Sequence, residues 1–433
     1  MLEIKYNKTL EVIKHYDVIV AGSGPSGICA AVAAAREGAS VALIERYGVL
    51  GGNLTSGHVA PILGEVAPGG MRDELMALLG VPNNDILGVV GVAHDTERAK
   101  RVVTDFVSSA GVDVYLQSPV CDVIMDGVKL KGLVISGKKG MYALTSEVIV
   151  DATGDGDVAF FSGAEFEIGR KGGLMQPVSL EFTISGVDES RAITCIGEVD
   201  DVMLGSERFL DYTQRFVKEG LLPEVMSTVR LHRTVTPGER RVNTTQANRI
   251  DATEVGDLIK AEIILRNQID VLMDFLHKHV PGYEKCRVTS GADTLGVRET
   301  RRFIGEYVLA DGDLAAGRKF EDAVVHNVNF IVDIHNPEGG GQAEGVPETV
   351  MPYDIPYRCF IPLKTDNLIL TGRCISGTHR AHASYRVMTI CMAMGQAAGI
   401  AAALSAKDKT SPRKLPPALI RKRLIALGVK MDD

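Results

Sequence analysis

The stretch Tyr16–Arg46, YDVIVAGSGPSGICAAVAAAREGASVALIER, decides the fold. Val18-Ile19-Val20 is a short apolar run of the kind that forms a strand buried on both faces. Gly22, Gly24 and Gly27 follow at once in the spacing G-x-G-x-x-G. In that spacing the first glycine permits a tight turn and the second lets the backbone approach a pyrophosphate. The third lets helix and strand pack closely. Pro25 suits the first turn of a helix, where its missing N–H costs nothing. That helix is expected to run through Cys29–Ala35 to Glu37, with Gly38 as its cap. Val41–Ile44 is the second strand, and Glu45 closes it eighteen residues after Gly27. An acid there accepts a hydrogen bond from a ribose hydroxyl and disfavours a 2′-phosphate. A bare G-x-G-x-x-G can be an ordinary glycine turn. Strand, glycines, helix, strand and acid together specify an adenine dinucleotide site, for FAD or NAD rather than NADP.

The 433 residues suffice for about two or three domains. A hydrophobic share of 45% and a charged share of 24% are those of an ordinary globular protein. Net charge is −8 and no basic run appears before the tail, so nucleic-acid binding has no electrostatic footprint. The seven cysteines are scattered without one C-x-x-C pair, which excludes the usual zinc and iron–sulfur spacings and a redox dithiol. No metal site is expected. The N-terminus lacks an apolar signal core, and with scattered thiols this points to the cytoplasm. Val387–Ala406 carries no charge over twenty residues and meets the length of a membrane span. Its Ala, Met and Gly content, with Thr389 and Gln396 inside, reads instead as a helix buried on all sides.

In chain order, residues 1–15 form a lead-in or one added edge strand. Gly51-Gly52-Asn53 opens a glycine-rich loop directly after the ribose-binding acid. Met71–Leu79 and Thr96–Ala110 are amphipathic helices, and Val112–Leu116 is a strand. Val120–Met125 and Lys131–Ile135 alternate around Asp126-Gly127, a hairpin signal. Glu147–Asp151 returns as an apolar strand and runs into Ala152-Thr153-Gly154-Asp155-Gly156-Asp157, small and acidic enough for a ligand to lie against the backbone. Val178–Ile184 then alternates as a half-exposed strand, and Glu254–Val280 is a long amphipathic helix. Asn336–Gln342 is the loosest stretch, a candidate loop or lid. Asn367–Arg373 holds the last core strand before the buried helix, and a basic helix near Leu419–Leu427 packs on the surface.

Taken together, these pieces resemble the bacterial FAD-dependent oxidoreductases of the glutathione-reductase-like fold with an inserted substrate domain. The resemblance rests on Gly22-Ser23-Gly24-Pro25-Ser26-Gly27 with Glu45-Arg46, on Gly51-Gly52-Asn53-Leu54-Thr55 and on Ala152–Asp157. Gly296–Arg302, Asn367–Arg373 and Met394–Gly399 also match, so it spans about residues 14 to 405. It implies an α/β protein: a Rossmann-like FAD-binding domain with a mixed, mainly parallel sheet and an inserted α+β domain. The implied division is 14–171 and 288–406 for the FAD-binding domain, 172–287 for the insert and 407–433 for a helical tail. The implied cofactor is non-covalent FAD, held by Gly22, Ser23, Gly24, Pro25, Ser26, Gly27, Glu45, Arg46, Gly51, Gly52, Asn53 and Thr55. Val120 would meet the adenine. Ala152, Thr153, Gly154 and Asp157 would lie along the pyrophosphate, and Gly372, Arg373, Gly395 and Ala397 at the flavin end. The buried helix would begin near Ala383. No second dinucleotide unit exists, so a dedicated NAD(P)H domain is not expected.

A flavin supplies the redox chemistry and the protein supplies orientation and charge. Hydride transfer at a C–H bond commonly needs a proton carrier for the neighbouring atom. His58, His335, His379 and His382 lie in segments the resemblance brings towards the flavin, as candidates for that role or as structural histidines. Arg298, Arg301 and Arg302 either clamp an anionic substrate through forked hydrogen bonds or pair with Glu299 and nearby acids. Three functions follow. One is hydride transfer between flavin and a small organic substrate. Another is an electron-transfer subunit docking on a redox partner. The last is a hydratase or isomerase without net redox change.

Overall fold

The computed structural model describes residues 4–80, 92–195, 202–341 and 350–431. Seven strands form one sheet, and six of them are β1 (Val12–Ala21), β2 (Val41–Ile44), β3 (Asp113–Tyr115), β4 (Val120–Asp126), β5 (Lys129–Gly137) and β6 (Gly140–Asp151). Their order is β3-β2-β1-β6-β5-β4. β1 runs parallel to β2 and to β6, with Val20 opposite Leu43 and Val150. Residues 18–21 are wholly buried, as a strand covered on both faces must be. On the edge away from β1, β6 serves two further neighbours. Its first half pairs antiparallel with β5, and Ile149–Asp151 pair parallel with strand Leu368–Leu370. The chain is therefore α/β, with a mixed, mainly parallel sheet.

Residues 4–11 are a lead-in outside any strand, and residues 12–15 continue β1 rather than adding a strand of their own. They pair with β6 alone, since β2 meets only Val18–Ala21, with Val12 opposite Ala143 and Glu11 O accepting from Ala143 N at 2.9 Å. The twelve-residue β6 needs a backbone partner over its whole length, and β1 lengthens to supply one.

Helix α1 (Pro25–Arg36) starts at Gly24 with Pro25 in its first turn and ends before Gly38 at φ 92°. It packs against helix Met388–Lys407 without intervening side chains. A Cβ at Gly395 would lie 2.0 Å from Ser26 O, and one at Gly399 2.1 Å from Ala30 O. This helix is long and apolar enough to cross a membrane, and 89% of its apolar window is buried inside the protein. It does not begin near Ala383. Thr378 caps a separate short helix, His379–Tyr385, by accepting from Ala381 N at 3.2 Å. The chain then leaves helical geometry at Arg386-Val387, where Arg386 reaches Asp333 at 2.9 Å, and restarts at Met388.

A second hydrophobic cluster gathers residues between Val178 and Leu295. Its antiparallel sheet has the order Leu231–Arg233, Glu239–Val242, Phe182–Ser185, Arg287–Gly291, and helix Val255–His279 contributes Leu265, Leu272 and Leu276 to the same core. Val178–Ile184 is not half-exposed. Leu180, Phe182 and Ile184 enter this second core, while Ser179, Glu181 and Thr183 are also buried, at 3%, 4% and 6% exposure. The alternation marks a buried polar face, not a wet one. Nor is Asn336–Gly341 loose, because Gly339 O accepts from Gln246 Nε2 at 2.8 Å and Asn248 Nδ2 at 3.0 Å. Gln342, the end of the expected lid, lies outside the described residues.

Candidate active site

A cleft of ≈ 260 Å³ opens where β1, β2 and β6 end, the place at which α/β sheets accept ligands. Gly22 through Ser26 form one wall, with Glu45, Arg46, Gly52 and Asn53 beside them. Val120, Ala152, Thr153, Gly154, Asp157, Gly372 and Arg373 complete the lining, with Ala152 next to Gly22 and Gly372 next to Ser26. Gly27 stands behind that wall: a Cβ there would lie 1.8 Å from Gly22 O, so this glycine serves helix–strand packing. Gly51, Thr55, Gly395 and Ala397 do not line the cleft. Gly51 N donates to Ser23 O at 2.9 Å and Thr55 Oγ1 to Leu50 O at 2.6 Å, which shapes the loop behind the wall. Gly395 and Ala397 belong to the packed face of the buried helix.

The cleft also takes residues that carry no motif. Tyr47 and Thr294 share a 2.7 Å hydrogen bond across it, and Val297, Arg386, Met388 and Cys391 close its inner end. They come from segments remote in sequence, and only the G-V-R-E-T-R-R stretch next to Val297 signals any of them.

Gly24 faces open space, with nothing within 4 Å of the position a Cβ would take. Glu45 is 4% exposed and already engaged. Its Oε2 accepts from Ser23 N at 2.9 Å and from Ser23 Oγ at 2.5 Å, and its Oε1 accepts from Tyr47 N at 2.8 Å. The acid therefore braces the glycine turn as well as facing the cleft. Glu45→Ala is expected to weaken cofactor affinity by about 1.5–3 kcal/mol, the range for a hydrogen bond to a charged group. Titration of FAD into apo-protein measures it, and unchanged affinity would remove Glu45 from the site.

Arg373 Nη2 donates to Asp155 Oδ1 at 2.9 Å, and Arg46 lies 4.0 Å from Asp155 Oδ2. Burial pushes the Asp155 carboxyl up, but Arg373 and Arg46 outweigh it and hold the group below the usual carboxylate range. Asp157 goes the other way, raised by burial and by Asp155. Two arginine atoms at the cleft are buried without a partner, Arg373 Nη1 and Arg386 Nε. A buried N–H left unpaired is costly, so an anionic ligand group there satisfies what the protein does not.

None of His58, Arg298, His335 and His379 lines the cleft itself. His379 Nδ1 lies 2.8 Å from Glu299 Oε1, a carboxylate that also pairs with Arg302 and accepts from Gln176 N at 3.1 Å. Arg301 donates to Asp157 Oδ1 at 3.0 Å. Arg301, Arg302 and His379 are thus each engaged with an acid. His382 is buried, and burial drives its imidazole far below its ordinary range.

Arg298, His335 and His58 belong to a second group behind the inner end of the cleft. Arg298 is 8% exposed and donates only to neutral acceptors, Pro177 O at 2.9 Å and Ser179 Oγ at 2.6 Å. Burial lowers it to about 9. His335 Nε2 lies 3.6 Å from Asp333, and burial, then Arg298, lowers the imidazole to about 4. His58 is brought to about 4 by burial and by Arg241, whose Nη1 donates to the His58 carbonyl at 2.5 Å. Both imidazoles are neutral at pH 7. Glu181, a residue that no motif singles out, sits in the same group. Burial raises its carboxyl to about 8 against the pull of Arg241.

The raised Glu181 value has a sign that can be tested. A carboxyl whose folded value exceeds the unfolded 4.5 contributes stability below 4.5 that is lost as pH rises through about 8. Glu181→Gln is therefore expected to gain on the parent protein from pH 5 to pH 8 and to hold that gain at pH 9. Melting curves across this range check it, and a difference independent of pH would reject the buried neutral acid.

The model of the family described as FAD dependent oxidoreductase matches residues 17–424, and the chain belongs to that family. It is 25% identical over 194 residues to digeranylgeranylglycerophospholipid reductase 1 of Methanococcoides burtonii, covering 40% of this chain and 45% of that protein. It is 25% identical over 276 residues to the soluble pyridine nucleotide transhydrogenase of Mycobacterium bovis, covering 58% of this chain and 57% of that protein. The chain spans about half the length of these relatives. A geranylgeranyl bacteriochlorophyll reductase-like structure from Thermoplasma acidophilum aligns over 95% of this chain and 83% of that one, at 15% identity and a TM-score of 0.45. The protein is an enzyme, an FAD-dependent oxidoreductase, and FAD is its cofactor.

Proposed function

We propose that this enzyme transfers hydride between FAD and a small anionic organic substrate, with the cleft holding the cofactor non-covalently and the buried group behind its inner end receiving the substrate. The open space at Gly24 and the unpaired N–H groups of Arg373 and Arg386 fit a long, anionic dinucleotide in the cleft. Gly22 to Ser26 and Glu45 would hold its adenosine and pyrophosphate, and Arg373 and Arg386 the opposite end. Bound FAD supplies hydride transfer. This chain's own residues then bind and orient the substrate, exclude water and move the accompanying proton.

The observation that carries this reading is Arg298, a buried guanidinium held by neutral acceptors one residue from Val297 on the cleft wall. A cation so placed has no carboxylate among its hydrogen-bond acceptors, and a substrate carboxylate would supply one. Anaerobic mixing of the FAD-loaded protein with a panel of small organic acids, watching for flavin bleaching, tests the reading. Bleaching by neutral compounds alone would reject the anionic substrate. Turnover without any flavin reduction would reject hydride transfer.

A further inference from the structure

Ser179, Glu181 and Thr183 share one face of the extended segment that leads into strand Phe182–Ser185, because Leu180 and Phe182 between them enter the second core. Each end of this row holds an arginine. Arg298 Nη1 donates to Ser179 Oγ at 2.6 Å, and Arg241 Nε donates to Thr183 Oγ1 at 2.9 Å. Glu181 lies between them, and its Oε2 accepts from Ala60 N at 3.2 Å. The row faces the loop that follows Asn53, since Arg241 also donates to the His58 carbonyl. It runs along the segment that lines the cleft, since Gly296 N donates to Ser179 O at 2.7 Å and Ala292 N to Glu181 O at 2.9 Å.

Two guanidiniums buried to 2% and 8% exposure thus flank one carboxyl, and every hydrogen bond they make goes to a hydroxyl or a carbonyl. Glu181 is the one acid within the row; Glu239 and Asp95 act on Arg241 from outside it, and among the described residues no carboxylate hydrogen-bonds to either guanidinium, which leaves room for one to be supplied. Arg230 and Arg386 add positive field at Arg298, and Asp333 is the other acid acting there.

We propose that this row is the substrate's anion site, taking the carboxylate of a small organic acid at Arg298 and Arg241, with Glu181 entering the complex as its neutral acid. The proposal rests on the reading above that FAD fills the cleft and the substrate lies behind it. Glu181 and the substrate carboxylate compete for the same two arginines. Binding therefore favours protonated Glu181, and the complex takes up a proton wherever free Glu181 is ionised. The buried carboxyl, raised to about 8, agrees with a group that waits in the neutral form. Such an acid can give its proton to a substrate atom, leaving a carboxylate that Arg241 and Arg298 stabilise until water reprotonates it.

Acetate, malonate, succinate and glutarate serve as probes, titrated into FAD-loaded protein with the shift of the flavin absorption as readout. At least one probe is expected to bind with constant affinity below pH 8 and to weaken by about tenfold per pH unit above it. In Glu181→Gln the fall that begins at pH 8 should be absent, and affinity should weaken only once Arg298, itself lowered to about 9, loses its proton. Arg298→Met should abolish binding while FAD content is kept. A yellow protein whose spectrum no probe shifts would overturn the proposal, as would the same pH dependence in Glu181→Gln as in the parent. A protein that binds no FAD would instead overturn the reading of the cleft.

Discussion

Gly24→Val is expected to yield a folded protein that purifies without FAD. Gly24 has φ −61° and ψ 177°, which any L-residue adopts, so a side chain there strains no backbone. Nothing in the protein lies within 4 Å of the Cβ position, so the valine also displaces no neighbour. The space it enters is the cleft, at the N-terminus of α1, where the backbone N–H groups and the helix dipole favour an anion. Two methyl groups then stand where the pyrophosphate must approach the backbone. Gly27→Ala is the contrasting variant. Its Cβ would meet Gly22 O at 1.8 Å, so it should damage the packing of α1 on β1 and lower the melting temperature of the apo-protein itself. Flavin content after purification, with melting curves of both apo-proteins, separates the two effects. Full FAD occupancy in Gly24→Val would reject this turn as the pyrophosphate site.

The contrast shows what the sequence could disclose. Strand, turn, helix, strand and acid are local, and each residue from Val18 to Glu45 does there what its chemistry requires. The hairpin at Asp126-Gly127 is local too, and Gly127 takes φ 60° as expected of such a turn. Local pattern misleads where long-range packing overrides it. An alternating strand implies water on one face only if nothing covers that face. Ser179, Glu181 and Thr183 are covered by a loop more than a hundred residues earlier and by a segment more than a hundred later. Arg298, Arg301 and Arg302 look alike in sequence, yet only tertiary contacts separate the two that pair with acids from the one that does not. Arg386, Met388 and Cys391 reach the cleft because the chain breaks between two helices, and no propensity in S-Y-R-V-M announces that break. Gly395 was legible as a close-approach glycine, but its neighbour is a helix backbone, not a ligand.

Glu299→Ala is expected to be the most destabilising single change in the chain's polar interior, costing about 3–5 kcal/mol, the range for breaking a buried ion pair from one side. The Glu299 side chain is fully buried and its two oxygens serve three donors. Arg302 and His379 Nδ1 meet Oε1, and Gln176 N meets Oε2. Arg302 is 2% exposed, and its remaining bonds go to the carbonyls of Gly377 and Gly169. Removing the carboxylate leaves that buried guanidinium with only the exposed Glu167, 3.7 Å away, as a charge partner. His379→Gln removes only one of the three donors and should cost about 0.5–1.5 kcal/mol, the ordinary net value of a hydrogen bond. Replacing both partners, Glu299→Leu with Arg302→Met, removes the stranded charge and should recover much of the loss, because buried pairs are often replaceable by apolar residues of similar volume. Urea unfolding of the three variants decides the matter. The cofactor should register the change as well. Thr300 Oγ1 donates to Asp155 Oδ1 at 2.8 Å and Arg301 Nη1 to Asp157 Oδ1 at 3.0 Å, so the strand anchored by Glu299 also holds the acidic wall of the cleft. Glu299→Ala should therefore lose FAD at a lower urea concentration than it loses its helices. Simultaneous loss of both would show that the anchor supports the fold as a whole, and a cost under about 1 kcal/mol would reject the buried charge argument outright.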